Sequence, residues 1–296
     1  MATMVLPAVT QGRRRSPLWD YLGVVPFFLY ATLFLLLPTA FLLFNAFLDA
    51  EGHPSFASIA GLFTPSILSS YWVSCKISVT SAVLGAVIGL LLAQAAVGGH
   101  LPRWVRPALL TFSGVASNFA GVPLAFAFLA TLGRLGLVTV FLRDWFDINL
   151  YGLGFNLLSF WGLTLTYLYF QIPLMVLIIV PALEGLKKEW REAAATLGAG
   201  DLHYWRMIGF PVLWPSVLGA TLLLFANAFG AIATAYALTG PQLNIITIQL
   251  YSQIRGDVLH NQNLGAAMAL GMVVITGVSN ALYIWLRHRS EKWLRT

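Results

Sequence analysis

Long apolar runs alternate with short polar segments along the whole chain. Six runs are long enough to matter, at 21–47, 77–97, 107–132, 157–183, 212–238 and 264–286. A helix needs about 20 mainly apolar residues to cross the hydrocarbon core of a bilayer. Inside lipid every backbone N–H and C=O must be bonded within the segment, so each run is predicted to be helical. No Asp, Glu, Lys or Arg falls inside any of the six. The pattern therefore predicts an all-α, polytopic membrane protein with six transmembrane helices.

Composition agrees. Of 296 residues, 58% are hydrophobic and 9% charged, with a mean hydropathy of +0.79. A soluble domain carries about 25% charged residues, so too few are present here to cover a water-exposed surface. The net charge of +6 does not point to nucleic acid, because the basic residues sit in short clusters between apolar runs. Their placement predicts orientation instead. Arg13–Arg15, Arg103, Arg106, Lys187, Lys188, Arg191, Arg206, Arg287, Arg289, Lys292 and Arg295 lie in the two tails and in the segments after spans two and four. The alternate segments hold only Arg134, Arg143 and Arg255, with Lys76 at the outer edge of span two. Both termini and the 184–211 segment are thus expected on the cytoplasmic side. The N-terminal arginines followed by an apolar run resemble a signal peptide, but the 21–47 run is too long for its core and is read as a retained first span.

Local features add detail. Ser81, Gly85, Gly89 and Ala93 recur every four residues in span two, a small-residue face that lets another helix approach closely. Tight packing inside one subunit is the favoured reading, ahead of a subunit contact. Pro26, Pro38, Pro123, Pro173 and Pro181 lie in or at the ends of spans and are expected to kink them. Cys75 is the single cysteine, and the histidines at 53, 100, 203, 260 and 288 form no His-x-x-x-His pair, so neither a disulfide nor a metal site is predicted. No cluster of nucleophile, carboxylate and histidine supports catalysis. The four lysines, Lys76, Lys187, Lys188 and Lys292, fit no phosphate-binding loop, so any ATP hydrolysis belongs to another polypeptide.

The segment between spans four and five reads as two short helices with a turn between them. Residues 187–197 are good helix formers, Gly198 and Gly200 can take the left-handed conformation that ends a helix, and Asp201 can cap a second helix carrying Leu202, Tyr204 and Trp205. Pro211 is expected to end the segment and start the next span. Its spacing is specific. Glu192, Ala193 and Ala194 are followed by three residues and Gly198, then nine residues, Ile208, Gly209, Phe210 and Pro211. This resembles the Glu-Ala-Ala loop of permease subunits of binding-protein-dependent ABC importers, with Phe210 where that pattern has leucine.

The resemblance implies a type I importer permease over about 20–290, flanked by tails at 1–19 and 291–296, with a coupling loop at 184–211. It implies that Glu192 meets the ATPase, that Ala193 and Ala194 permit close helix approach, and that Gly198 supplies the turn, with Asp201, Ile208 and Pro211 completing the motif. It also implies partners: two cytoplasmic ATPase subunits, a second permease subunit (a paralogue or a second copy) and an extracytoplasmic solute-binding protein, all at the bacterial inner membrane. No cofactor is implied. Polar residues within the spans are candidates for the pathway, first Asn227 and Thr234, whose spacing of seven places them near one helix face, then Asn118 and Tyr236. Gln94, Gln171 and Asn280 are further candidates, and for each of these seven polar residues taken alone a bond to a neighbouring helix is the favoured reading. The stretch 239–255 resembles the branch importing polyamines, ferric iron, thiamine, sulfate or phosphonates. A polyamine-like cation is the first expectation, since Tyr167, Tyr169, Phe170, Phe225, Phe229 and Tyr236 offer aromatic faces. The alternative of another class is an ion-coupled secondary transporter. It would be expected to keep ionisable groups inside the membrane.

Overall fold

The computed structural model describes residues 17–49, 51–98, 102, 104–255 and 261–294. The tail arginines Arg13–Arg15, and Arg103, His100, His260 and Arg295, lie outside the described residues. The side chains of 17–23 and 287–294 are also outside them. The described residues are mainly helical: α1 (Pro17–Ala31), α2 (Leu37–Asn45), α3 (Ala57–Gly61), α4 (Pro65–Gly98), α5 (Val105–Asn118), α6 (Val122–Leu132), α7 (Leu137–Phe146), α8 (Phe160–Glu184), α9 (Lys188–Thr196), α10 (Asp201–Tyr204), α11 (Phe210–Phe229), α12 (Ile232–Thr239), α13 (Ile246–Arg255) and α14 (Gln262–Leu294). Six of the resulting stretches are long and apolar enough to cross a membrane. The face carrying residues 184–211 is called here the loop face, and the opposite one the far face.

Span four (α8) is the axis. It packs on α4, α5 and α11, and Leu163, Met175 and Ile179 are fully buried. The small-residue stripe of span two lies against it: Ser81, Gly85, Gly89 and Ala93 are all buried. A Cβ placed on Gly89 would stand 2.6 Å from Met175 Cβ, so the close approach depends on that glycine. The favoured reading of the stripe, packing inside one subunit, therefore holds. By contrast, span one is peripheral. Val24–Asn45 buries none of its apolar window, and α2 packs on α14 through Leu42 and Ala46.

Four expectations are corrected. Span two is longer than 77–97: α4 has 34 residues, about 51 Å, and its first turns project beyond a ~30 Å core. Their serines are bonded to the segment before α13, as described below. Span three is not one helix over 107–132 but α5 and α6 separated by Phe119–Gly121. Hydropathy alone would join α6 to α7 as the crossing, Val122–Phe146. The α5–α6 pair is the better assignment, because Arg106 in the first turn of α5 pairs with Glu184 at the loop-face end of α8. Span five likewise is not continuous over 212–238, but breaks at Gly230–Ala231. Finally, Pro173 and Pro181 lie within α8, which runs uninterrupted for 25 residues.

Two other prolines leave a visible mark. The chain forms π-turns at Thr32–Leu36 and Trp205–Gly209, each ending two residues before a proline, Pro38 and Pro211. In these turns Leu37 N–H donates to Thr32 O and Phe210 N–H to Trp205 O, one residue further back than in an α-helix. A proline ring collides with the carbonyl four residues before it. The wider turn relieves that collision, and the helix passes the proline.

Candidate coupling segment and translocation pathway

The 184–211 segment begins with the Arg106–Glu184 ion pair and the extended residue Lys187, which turns the chain into α9. The helix has two unlike faces. Ala194 is buried toward the bundle, and Lys188 and Arg191 share that side, whereas Glu189, Glu192 and Ala193 are exposed. Its end is a Schellman motif: Ala199 N–H donates to Ala194 O at 2.9 Å and Gly198 N–H to Ala195 O at 3.0 Å. Gly198 has φ +78°, the left-handed conformation foreseen for it. Gly200 does not share it. With φ −73° and ψ 167° it is extended and is itself the N-cap of α10.

Asp201 is therefore not the cap that its type suggested. It is the first helical residue and makes no side-chain cap bond. Its carboxylate accepts instead from Arg191, at 2.8 Å from Nη2 and 3.2 Å from Nε, and ties α10 to α9. Nor is α10 a separate short helix ended by Pro211. Helix α10, the π-turn and α11 form one rod from Asp201 to Phe229, 29 residues or about 43 Å. Trp205 lies over Gly209 so closely that a Cβ there would sit 2.7 Å from the ring. Leu197, Leu202 and Met207 are strongly exposed, and Leu197 and Met207 line a hollow of ≈ 490 Å³ on the loop face with Ala194, Tyr204 and Ile208. Ile208 is half-buried and Pro211 exposed in the first turn of α11.

The second site is where the two broken spans meet. Gly121, φ +77°, redirects the chain after α5, and its N–H donates to Thr234 Oγ1 of α12 at 2.8 Å. Thr234 is 1% exposed. The other break is tied to the axis: Tyr167 of α8 donates its hydroxyl to Ala231 O at 2.9 Å. One chain of contacts thus runs from span four through the break in span five to the break in span three. Beyond the breaks, α6 and α12 pack side by side.

The sequence candidates divide accordingly. Thr234 joins the breaks. Asn227 and Thr234 do not share one helix face, since the break at Gly230–Ala231 puts them on α11 and α12. Asn227 and Asn118 are exposed, Asn118 donating to Gly114 O at 2.8 Å within its own helix. Tyr236 is half exposed and packs its ring on Tyr251 in a tilted pair, 4.9 Å between centroids. Of the aromatic residues, Tyr167, Phe170 and Phe229 are buried in packing. Gln171, fully buried, donates to Ser81 at 2.8 Å across the α4–α8 contact, the helix–helix role expected of it. Gly121, Gly230 and Ala231 are not among the residues the sequence points to, and Tyr167, expected to offer a ring face, acts through its hydroxyl. A glycine isolated inside an apolar run was the signal available for the first two.

At the far face two arginines sit on tyrosine rings. Arg255 lies 5.6 Å from Tyr251, which carries Tyr236, and Arg134 lies 5.5 Å from Tyr151, whose hydroxyl donates to Leu132 O at the end of α6. The 239–255 stretch is pinned to the projecting end of α4. Ser70 donates to Asn244 Oδ1 at 2.7 Å, Ile246 N–H to Ser74 Oγ at 2.9 Å, and Gln249 to Ser66 Oγ at 3.0 Å.

Comparison with known proteins gives this arrangement its context. A probable sulfate transport system permease protein of Nephroselmis olivacea is 27% identical over 273 residues, covering 90% of this chain and 89% of that protein. The molybdenum transport system permease of Haemophilus influenzae is 30% identical over 176 residues, covering 58% and 73%. The spermidine/putrescine transport system permease of Escherichia coli K12 is 26% identical over 125 residues, covering 42% and 47%. In fold, the chain is similar to a bacterial ABC transporter involved in the import of the acidic polysaccharide alginate, with a TM-score of 0.70 at 16% identity over 94% of this chain and 99% of that one. Residues 85–296 match the family described as binding-protein-dependent transport system inner membrane component, and the chain belongs to that family of ABC importer permeases.

Proposed function

We propose that this chain forms one half of the membrane pathway of an ATP-driven importer and passes the work of a separate ATPase to that pathway through α9. The observation that carries the reading is the continuity of one rod, Asp201–Phe229, from the coupling segment to the break at Gly230. A push on α9 reaches α11 through the Arg191–Asp201 pair and the Schellman turn, and α11 ends where Tyr167 and Thr234 hold the breaks. In this reading the loop face and both termini are cytoplasmic, and the permease body spans about 20–290. Glu192 meets the ATPase on the exposed face of α9, while Ala194 lets α9 lie close on the bundle and Ile208 and Pro211 anchor the rod. Two ATPases, a second permease (paralogue or copy) and an external solute-binding protein complete the assembly. Asn118, Asn227, Thr234 and Tyr236 border the passage.

For the solute, a small oxyanion is favoured over the polyamine expected first. Sulfate permease relatives match most of this chain, whereas the polyamine relative matches less than half of it. The passage candidates include no carboxylate, and Arg134 and Arg255 present guanidinium groups at the far-face mouth, well suited to oxyanions. A polyamine is the second reading, supported by the 239–255 resemblance and the Tyr236–Tyr251 pair, which offers faces to a cation.

Uptake of labelled sulfate, molybdate and spermidine by cells with and without the gene separates these. Loss of sulfate or molybdate uptake with spermidine unchanged supports the oxyanion, and the reverse supports the polyamine. Transport and ATP hydrolysis that stay coupled in Glu192→Lys, with the ATPase still bound, would remove the role given to α9.

A further inference from the structure

Between α9 and the bundle lies a cavity of ≈ 370 Å³ whose lining is markedly cationic. Arg106, Lys187, Lys188 and Arg191 border it against one carboxylate, Glu184. Glu184 is taken by Arg106, and Arg191 reaches Asp201, which is not part of the lining. The positive charge is not just that of a basic loop beside a membrane. Helix α9 segregates it, with Lys188 and Arg191 lining the cavity and Glu189 and Glu192 outside its lining. Lys187 and Lys188 also stand at the N-terminal end of α9, where the helix dipole disfavours cations. The carbonyl ends of α4 and α8 offset part of this charge. The cavity has a second, apolar wall, made by Val97, Leu183, Leu186 and the half-buried Trp205. Cations at a lip above an apolar wall, at the ends of membrane helices, match the junction between phosphate and acyl chain in a phospholipid.

We propose that this cavity binds the head group of an anionic phospholipid, with its phosphate on Lys187 and Lys188 and its acyl end along Val97, Leu186 and Trp205. The lipid would bridge the coupling helix to the ends of α4, α5 and α8, and so bias how α9 sits on the bundle. The inference rests on α9 lying at the membrane–water boundary. It does not depend on which solute is carried, and its test needs no transport. The assembled transporter, purified in detergent with its partner subunits, is titrated with phosphatidylglycerol or phosphatidylcholine, and bound lipid is counted by native mass spectrometry. Phosphatidylglycerol should bind more tightly than phosphatidylcholine. A lysine near an anionic surface contributes about fivefold, so Lys187→Gln/Lys188→Gln should weaken phosphatidylglycerol binding about 30-fold. Arg143→Gln, on the far-face helix α7, should leave it unchanged. Because both lysines are exposed, the double variant is expected to assemble normally, which its elution with the partner subunits checks. Equal binding of the two lipids, or unchanged binding by the double variant, would overturn the proposal. Displacement by inorganic phosphate at the lipid's own concentration would also overturn it, in favour of a free-anion site.

Discussion

Span four and span five answer the same problem in opposite ways. Helix α8 contains Pro173 and Pro181, yet it runs unbroken and lies buried among three neighbours. Span five has two prolines in α11, Pro211 in its first turn and Pro215 further in, and passes both, but breaks at Gly230–Ala231. Span three breaks at Gly121, just before Pro123. A proline alone therefore does not decide where a span breaks. A helix packed along most of its length keeps its course past a missing N–H, whereas a break persists where freed backbone groups find side-chain partners, as Ala231 O finds Tyr167 and Gly121 N–H finds Thr234. The difference separates an unbroken axis from a pair of interrupted spans.

Damage to the axis should cost the most. Gly89→Leu forces a side chain into Met175 and is expected to destabilise the fold by about 3 kcal/mol, at the upper end of overpacking costs. The check is a lowered thermal midpoint with poor recovery of assembled transporter. Tyr167→Phe leaves Ala231 O without its donor and should cost about 1–3 kcal/mol. Here solute leak or uncoupled ATP hydrolysis should change more than the midpoint does, because the hydroxyl joins the axis to the break. Thr234→Val strands Gly121 N–H for about 1–2 kcal/mol, and Thr234→Ser should restore wild-type uptake. The smallest effect is expected from Pro173→Ala, about 1 kcal/mol or less with uptake preserved, since α8 already runs helical through that position. A large uptake defect in Pro173→Ala with intact folding would erase the distinction between the two spans.

The sequence made parts of this arrangement legible. Apolar runs about 20 residues long fix the number of crossings because lipid leaves the backbone no other partner, and the turn at Gly198 follows from a need that glycine alone meets cheaply. The breaks were hidden because they depend on distant bonds. Gly121 and Thr234 are 113 residues apart, and Tyr167 and Ala231 are 64 apart, so no local period records either contact. Asn227 and Thr234 looked like neighbours on one face only while the helix between them was taken as whole. Asp201 has the residue type of a cap, but Arg191, ten residues earlier, offers its carboxylate a charged partner. The true start of α4 was masked by polar residues, Ser66, Ser70 and Ser74, whose partners lie in the segment before α13 and its first turns.

The proposed function implies that the meeting point of the two breaks parts for solute to pass. A Cβ built on Gly121 lies 3.7 Å from Ala233 Cβ, within the roughly 3.5–4.5 Å span of a disulfide. With Cys75→Ser to remove the native thiol, Gly121→Cys/Ala233→Cys can be locked by oxidation and released by reduction in the assembled, reconstituted transporter. The left-handed φ of Gly121 makes the reduced double variant the necessary reference. Oxidation is expected to abolish ATP-driven uptake and reduction to restore it. Full uptake by the cross-linked transporter would show that the breaks need not part.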